Sequence, residues 1–183
     1  MIGVLVSGSG TNLQALLDAG LPVSAVASNR PGVRALERAE ESGVPTEVFE
    51  LSAYADREAR DLAMAAWLEE QGADLVVCAG YMHLLTPAFL ERFRCLNVHP
   101  SLLPAFPGAH AVEEVLAAGA RETGVTVHFV DEGVDTGPVI AQERVPIEPG
   151  DTPESLHRRL QTVEHRLLPE VVGRYLAGAL RSA

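Results

Sequence analysis

What most limits the folds open to this chain is a set of short runs that stay apolar instead of alternating. Residues 2–7 (IGVLVS), 23–28 (VSAVAS), 75–79 (LVVCA) and 95–98 (CLNV) are of this kind, with residues 45–49 (PTEVF) a weaker member. A strand with one face in water alternates polar and apolar side chains. A strand buried on both faces does not, and such strands belong to parallel sheets covered by helices. Between the runs the apolar residues fall at helical spacing, which predicts helices over 12–19, 33–41, 54–70, 87–93 and 110–118. The expected fold class is therefore α/β, a mostly parallel sheet with helices on both faces. Beyond residue 123 the pattern changes: GVTVHFVD and PVIAQERVPI read as two strands joined by EGVDTG, an antiparallel addition to the sheet. The chain closes with a long helix from Pro153 to about Ala177, entered through Asp151, Thr152 and Pro153 as an N-cap and a first-turn proline. Pro169 within that helix predicts a kink or a break.

No repeat, linker or low-complexity tract divides the sequence, so residues 1–183 are expected to form one domain. With 47% hydrophobic residues the chain can bury a sizeable core. Asp and Glu number 25 against 14 Lys and Arg, a formal net charge of -11, which repels nucleic-acid backbones and anionic membrane surfaces. A local basic pocket for one small anion stays compatible with that charge. Cys78 and Cys95 lie in apolar runs without CxxC spacing and read as buried free thiols in a reducing cytoplasm. The start, MIGVLVSGSG, lacks the basic flank and apolar length of a signal segment. No run approaches the ~20 apolar residues of a membrane-spanning helix, and the expected location is cytoplasmic.

Ligands of open α/β sheets sit beyond the carboxyl ends of the strands, which makes neighbours of the loops after Ser7, Ala79 and Val98. In the first, GSGTNL, the glycines and the free N–H groups of a helix start suit an anion. Leu13 stands where a dinucleotide fingerprint has its third Gly, Ser28-Asn29-Arg30 offers no acid for a ribose, and no Walker Lys follows. A monophosphate held by Gly10, Thr11 and Asn12 fits better, beside the alternative of a merely tight turn. Asn97 and His99 alternate onto one side of their strand, where an amide donor and an acid/base group suit carbonyl chemistry. A structural histidine at a strand end is the competing reading; Pro100 and Pro104 stiffen the loop that follows. DEGVDTG, residues 131–137, reads as an ordinary turn unless Asp135 reaches His99 and orients its ring. His128 faces either the core or the same pocket, whereas His157 and His165 suit solvated or packing roles on the last helix. The histidines and acids show no HExxH or other metal-ligand spacing, so no metal is expected. Ser101 lacks the GxSxG context of a hydrolase nucleophile.

Taken in order, GSGTNL, NVHPSLLPAFPGAH and TGVTVHFVDEGVDTGPVI resemble the phosphoribosylglycinamide formyltransferases of purine biosynthesis, and the likeness runs from Val4 to about Pro169. The resemblance implies a Rossmann-like sheet and a formyl transfer from 10-formyltetrahydrofolate to the amine of glycinamide ribonucleotide. It implies catalytic roles for Asn97, His99 and Asp135, phosphate binding by Gly10, Thr11 and Asn12, and ribose binding in the segment of Gln161 and Glu164. It places Arg57 against the folate, and Met82, His83, Leu84 and Leu85, with Asp131, Glu132, Gly133, Val134 and Asp135, in the loops around its pterin ring, next to Asn97. His83 stands where many relatives carry Arg, and Ala105 where a Lys or Arg is common. Both departures concern the folate side rather than the catalytic trio. The implied partners are these two small molecules, with no nucleic acid, membrane or metal, in a monomer or homodimer. Three rivals remain: a formyltetrahydrofolate deformylase, a methionyl-tRNA formyltransferase, and a binding module that has lost the chemistry. The first two usually carry an additional domain, the tRNA enzyme also needs a basic surface, and an intact Asn97, His99 and Asp135 set argues against the third.

Overall fold

The computed structural model describes residues 1–180. Its strands are β1 Ile2–Val6, β2 Val23–Ser28, β3 Thr46–Val48, β4 Leu75–Cys78, β5 Arg94–His99, β6 Glu122–Phe129 and β7 Val139–Pro146. They form one sheet in the order β3-β2-β1-β4-β5-β6-β7, parallel from β3 through β5 and antiparallel from β5 to β7. The helices are α1 Thr11–Asp18, α2 Arg34–Glu41, α3 Arg57–Glu70, α4 Pro87–Leu90, α5 Ala111–Ala117 and α6 Pro153–Leu176. From β1 the chain first builds outward to β3 and then returns to the other side of β1 with β4. The crevice between the ends of β1 and β4 is therefore the topological switch point, where such sheets bind ligands.

The continuous apolar runs are explained by burial on both faces. Ile2, Val4 and Val6 of β1 join Leu75 and Val77 of β4 in a core layer with Leu13 and Leu16 of α1, Val115 of α5 and Leu160 and Leu168 of α6. The alternate residues Leu5, Val76, Cys78 and Cys95 point the other way, against Met64 and Leu68 of α3 and Phe89 of α4. Both cysteines are free and buried; burial pushes the Cys78 thiol up to about 12, and burial with the neighbouring Cys78 and Asp61 pushes Cys95 well above its ordinary value. Neither is a nucleophile at neutral pH.

Several boundaries differ from the sequence expectation for local reasons. The helix expected from residue 54 begins at Arg57, because the Asp56 side chain caps it by accepting the Ala59 N–H, and Leu51–Ala53 form a separate 3₁₀ turn. Helix α4 ends at Leu90, short of the expected residue 93. Helix α6 starts as expected, with Thr152 and Ser155 forming a reciprocal capping box and Pro153 in the first turn. It runs unbroken through Pro169, so of the two outcomes expected there the break does not occur. Leu167, Leu168, Val171 and Val172 bury both flanks of the proline in the core and offset the lost hydrogen bond. Among the described residues no helix is long and apolar enough to cross a membrane.

Gly10 links this framework to the first loop. It caps α1 with φ 73°, and a Cβ built on it would lie 2.6 Å from the Ala35 backbone of α2. Helix α2 therefore approaches the loop as closely as the missing side chain allows. Gly10→Ala should destabilise the protein by about 1–3 kcal/mol. Gly8→Ala, whose Cβ meets nothing within 4 Å, should stay within about 0.5 kcal/mol; urea denaturation of the two variants checks the contrast.

Candidate active site

The antiparallel turn from β5 to β6 sets the centre of the site. In that ladder Asn97 pairs with His128 and His99 with Thr126, and directly opposed residues share a face of the sheet. Asn97, His99 and His128 thus emerge together at the carboxyl end of β5. Asp135, delivered by the β6–β7 connection, meets all three. Its Oδ2 lies 3.4 Å from His99 Nδ1, and its Oδ1 lies 3.4 Å from the donating Asn97 Nδ2 and 3.5 Å from His128 Nε2. The Gly108 N–H adds the shortest contact, 2.8 Å to Oδ2. Burial by itself would raise the Asp135 carboxyl. The hydrogen bond with His128, the Gly108 N–H and the charges of His99 and His128 outweigh it and bring the carboxyl from 3.8 down to about 2.

The loop after β5 holds the second side of His99. The ring's Nε2 lies 2.8 Å from the Phe106 carbonyl oxygen, which also accepts from Ser101 Oγ at 3.1 Å. Phe106 has φ 51° and Asp135 φ 53°, a left-handed conformation that is uncommon for a non-glycine residue and an outlier for one as bulky as Phe. The strain at Phe106 aims its carbonyl at the imidazole. Thr126 Oγ1 fastens the loop to the sheet by donating to Ser101 O at 2.7 Å and accepting the Leu103 N–H at 3.1 Å. Gln142 on β7 adds a donation to Leu103 O at 2.7 Å. The loop is therefore held by hydrogen bonds as well as by its prolines.

These groups open into a cavity of about 670 Å³. Asn97, His99, His128 and Asp135 form one wall, Met82, His83, Leu84 and Leu85 another, and Asp131, Gly133 and Val134 part of the rim. Asp131 Oδ1 accepts from the Gly133 N–H and Thr136 Oγ1, which shapes that rim. Arg57 and Glu132 are exposed and lie outside the lining. Gly10, Thr11, Asn12, Gln161 and Glu164 form a separate group where α1 begins against α6, and Asn12 Nδ2 donates to Glu164 Oε2 at 3.1 Å. The loops after β1 and β4 touch through Ser7 Oγ, which accepts the Met82 N–H at 2.9 Å. Among the described residues no cluster of three or more His, Cys, Asp or Glu is arranged to hold a metal.

Sequence reasoning left His128 between core and pocket; its register opposite Asn97 puts it in the site. The Phe106 carbonyl and the Gly108 N–H are backbone groups and carry no signal in residue identity. Arg38 was also missed: its Nε donates to Ser9 O at 2.8 Å and its Nη1 to Gln14 Oε1 at 3.3 Å, setting a cation behind the GSGTNL loop.

Residues 1–172 match the formyl transferase family. The phosphoribosylglycinamide formyltransferase of Mycobacterium tuberculosis is 48% identical over 92% of this chain and 81% of its own length. The trifunctional purine biosynthetic protein adenosine-3 of Bos taurus is 44% identical over 98% of this chain, which spans only 19% of that longer protein. The crystal structure of glycinamide ribonucleotide transformylase 1 from Symbiobacterium toebii superimposes with a TM-score of 0.95 at 48% identity, covering 97% of this chain and 87% of that one. With a family match over residues 1–172 and a relative 48% identical over 81% of its own length, the chain belongs to the formyl transferase family.

Proposed function

We propose that this chain, acting as one cytoplasmic domain, transfers the formyl group of 10-formyltetrahydrofolate to the primary amine of N1-(5-phospho-D-ribosyl)glycinamide in de novo purine biosynthesis. The observation that carries the proposal is the meeting of Asn97, His99 and Asp135 at one wall of a cavity sized for a folate ring system. The names of its relatives supply the substrates. The phosphate lies on the N–H groups of Gly10, Thr11 and Asn12 at the start of α1, and Glu164, joined to Asn12, takes the ribose hydroxyls together with Gln161. The folate lies against Met82, His83, Leu84 and Leu85 and the turn from Asp131 through Glu132, Gly133 and Val134 to Asp135, with Arg57 beyond the rim for its acidic tail.

The amine nitrogen attacks the formyl carbon, and the carbonyl electron pair moves onto oxygen. Asn97 Nδ2 donates to that oxyanion. His99 Nε2 donates to the Phe106 carbonyl and Nδ1 faces the Asp135 carboxylate; when the ring takes up the second proton in the reaction, its positive charge lies beside the developing negative one. The tetrahedral intermediate collapses by breaking the bond from carbon to N10. The attacking nitrogen loses a proton and N10 gains one, with His99 and the Asp135 carboxylate on the relay. No covalent enzyme intermediate is needed, in keeping with buried cysteines whose thiols stay protonated.

Release of tetrahydrofolate, followed by absorbance with and without the ribonucleotide, tests the reaction. Turnover that needs the amine supports transfer; equal turnover without it is hydrolysis and overturns the proposal. Asn97→Ala should lose about 10²–10³ in kcat with unchanged circular dichroism, and a variant of near wild-type rate removes Asn97 from the chemistry. Asp135 has a folded-state pKa below its unfolded one, so its stabilisation is complete above about pH 4 and is lost as the pH falls toward about 2. Asp135→Asn should therefore be less stable than wild type at pH 7 by on the order of 2 kcal/mol. That gap should shrink on acidification below about pH 4, as read from urea midpoints at each pH.

A further inference from the structure

The loop between β4 and α4 is pinned at both ends by buried side chains. Ser7 Oγ accepts the N–H of Met82 at 2.9 Å, and Asp61 Oδ2 accepts the N–H of Thr86 at 2.8 Å. Between these pins the His83 ring is a third attachment. Its Nδ1 lies 2.8 Å from Arg60 Nη1, and its Nε2 lies 3.2 Å from Nδ2 of Asn29, just beyond β2; the Asn29 Oδ1 accepts from Ser7 Oγ. Arg60 is 0% exposed and held by a 2.7 Å ion pair with the equally buried Asp61; its Nη2 has no partner among the described residues. A buried ion pair of this kind stabilises a fold no better than apolar residues of the same size. The Arg60 charge therefore calls for another explanation, and the contact it makes is with the cavity wall.

We propose that Arg60 is a positioning residue for the folate co-substrate, fixing through His83 the loop of residues 80–86, and that it does so only while His83 is neutral. The proposal rests on the reading that residues 82–85 bind the folate. A guanidinium can only donate, so His83 Nδ1 accepts from Arg60 and the single ring proton sits on Nε2, facing the Asn29 amide nitrogen without a hydrogen bond; the Arg60 contact is what holds the ring. The charged and titratable groups around the ring are Arg57, Arg60 and Asp61 of α3 and Tyr81, whose ring centroid is 5.9 Å away. Burial and the charges of Arg60 and Arg57 push the His83 ring below its ordinary 6.5, with Asp61 opposing them. A second ring proton would place N–H against N–H at the Arg60 contact and add a third cation to the cluster. The attachment is complete at neutral pH and is lost as the pH falls through the lowered value.

The test uses the full chain and 10-formyl-5,8-dideazafolate, a co-substrate analogue whose missing N5 prevents acid-driven cyclisation. Its KM, the KM of the ribonucleotide and kcat are measured between about pH 5 and pH 8 for wild type, Arg60→Met, His83→Gln and Leu84→Asp. Arg60→Met should raise the KM of the folate analogue roughly tenfold while kcat and the ribonucleotide KM stay within about twofold. In wild type the folate KM should climb toward the acid end of that range, below the ordinary imidazole value of 6.5. In His83→Gln it should stay flat, because a glutamine oxygen still accepts from Arg60 and takes no proton. A wild-type folate KM in folded Arg60→Met, with Leu84→Asp impaired, overturns the positioning role alone. A wild-type KM in both overturns the folate reading of the loop and the proposal with it. An acid rise in His83→Gln equal to that of wild type overturns the dependence on neutral His83, and this comparison decides the matter if Arg60→Met does not fold.

Discussion

One carboxylate holds the centre of this molecule in register. Asp135 takes a backbone N–H from the loop before α5, an amide from β5 and imidazoles from β5 and β6. The side-chain contacts, at 3.4 to 3.5 Å, are each long, and what makes the arrangement firm is that four groups converge on one anion. That convergence exists only because the sheet changes direction at β5. A parallel strand in place of β6 would return through a crossover connection, and would not set His128 opposite Asn97 beside a short connection carrying Asp135. The left-handed backbone at Asp135 and Phe106 is tolerated because the same contacts hold it there.

Much of the fold was legible because burial on two faces leaves a plain mark: β1 and β4 are uninterrupted apolar runs, and β2 is broken only by two serines. Boundaries were less legible where a single side chain decides them, as Asp56 does for α3. At Pro169 the break expected as one of two outcomes does not occur, since the pattern shows the proline but not that the leucines and valines beside it are buried on both of its flanks.

The site divides in the same way. Asn97 and His99 could be paired from strand alternation, while Asp135 lies 36 residues beyond His99 in the sequence and was linked to it only through the family resemblance. His128 needed the β5–β6 register. Arg60 was invisible because helical periodicity assigns charged side chains to solvent, and this one is wholly enclosed. The carbonyl of Phe106 belongs to the backbone, and its direction comes from a torsion that no residue name encodes.

The sheet also acts as a partition. Asn97 and His99 alternate with Leu96 and Val98, so they lie on the side covered by α3 and α4, whereas α1 and its leading loop pack with α6 on the other. Beyond the strand ends the partition stops: the cavity beside Asn97 and His99 is also lined by Ala111 and Val112 of α5, and on the reading proposed above the formyl donor and its acceptor meet there, over the rim of β5. Helix α6 serves both: its first turns, Pro153, Glu154 and His157, line the cavity, and Gln161 and Glu164 follow one and two turns later. A change in the first turns of α6 is therefore felt on both sides of the site at once.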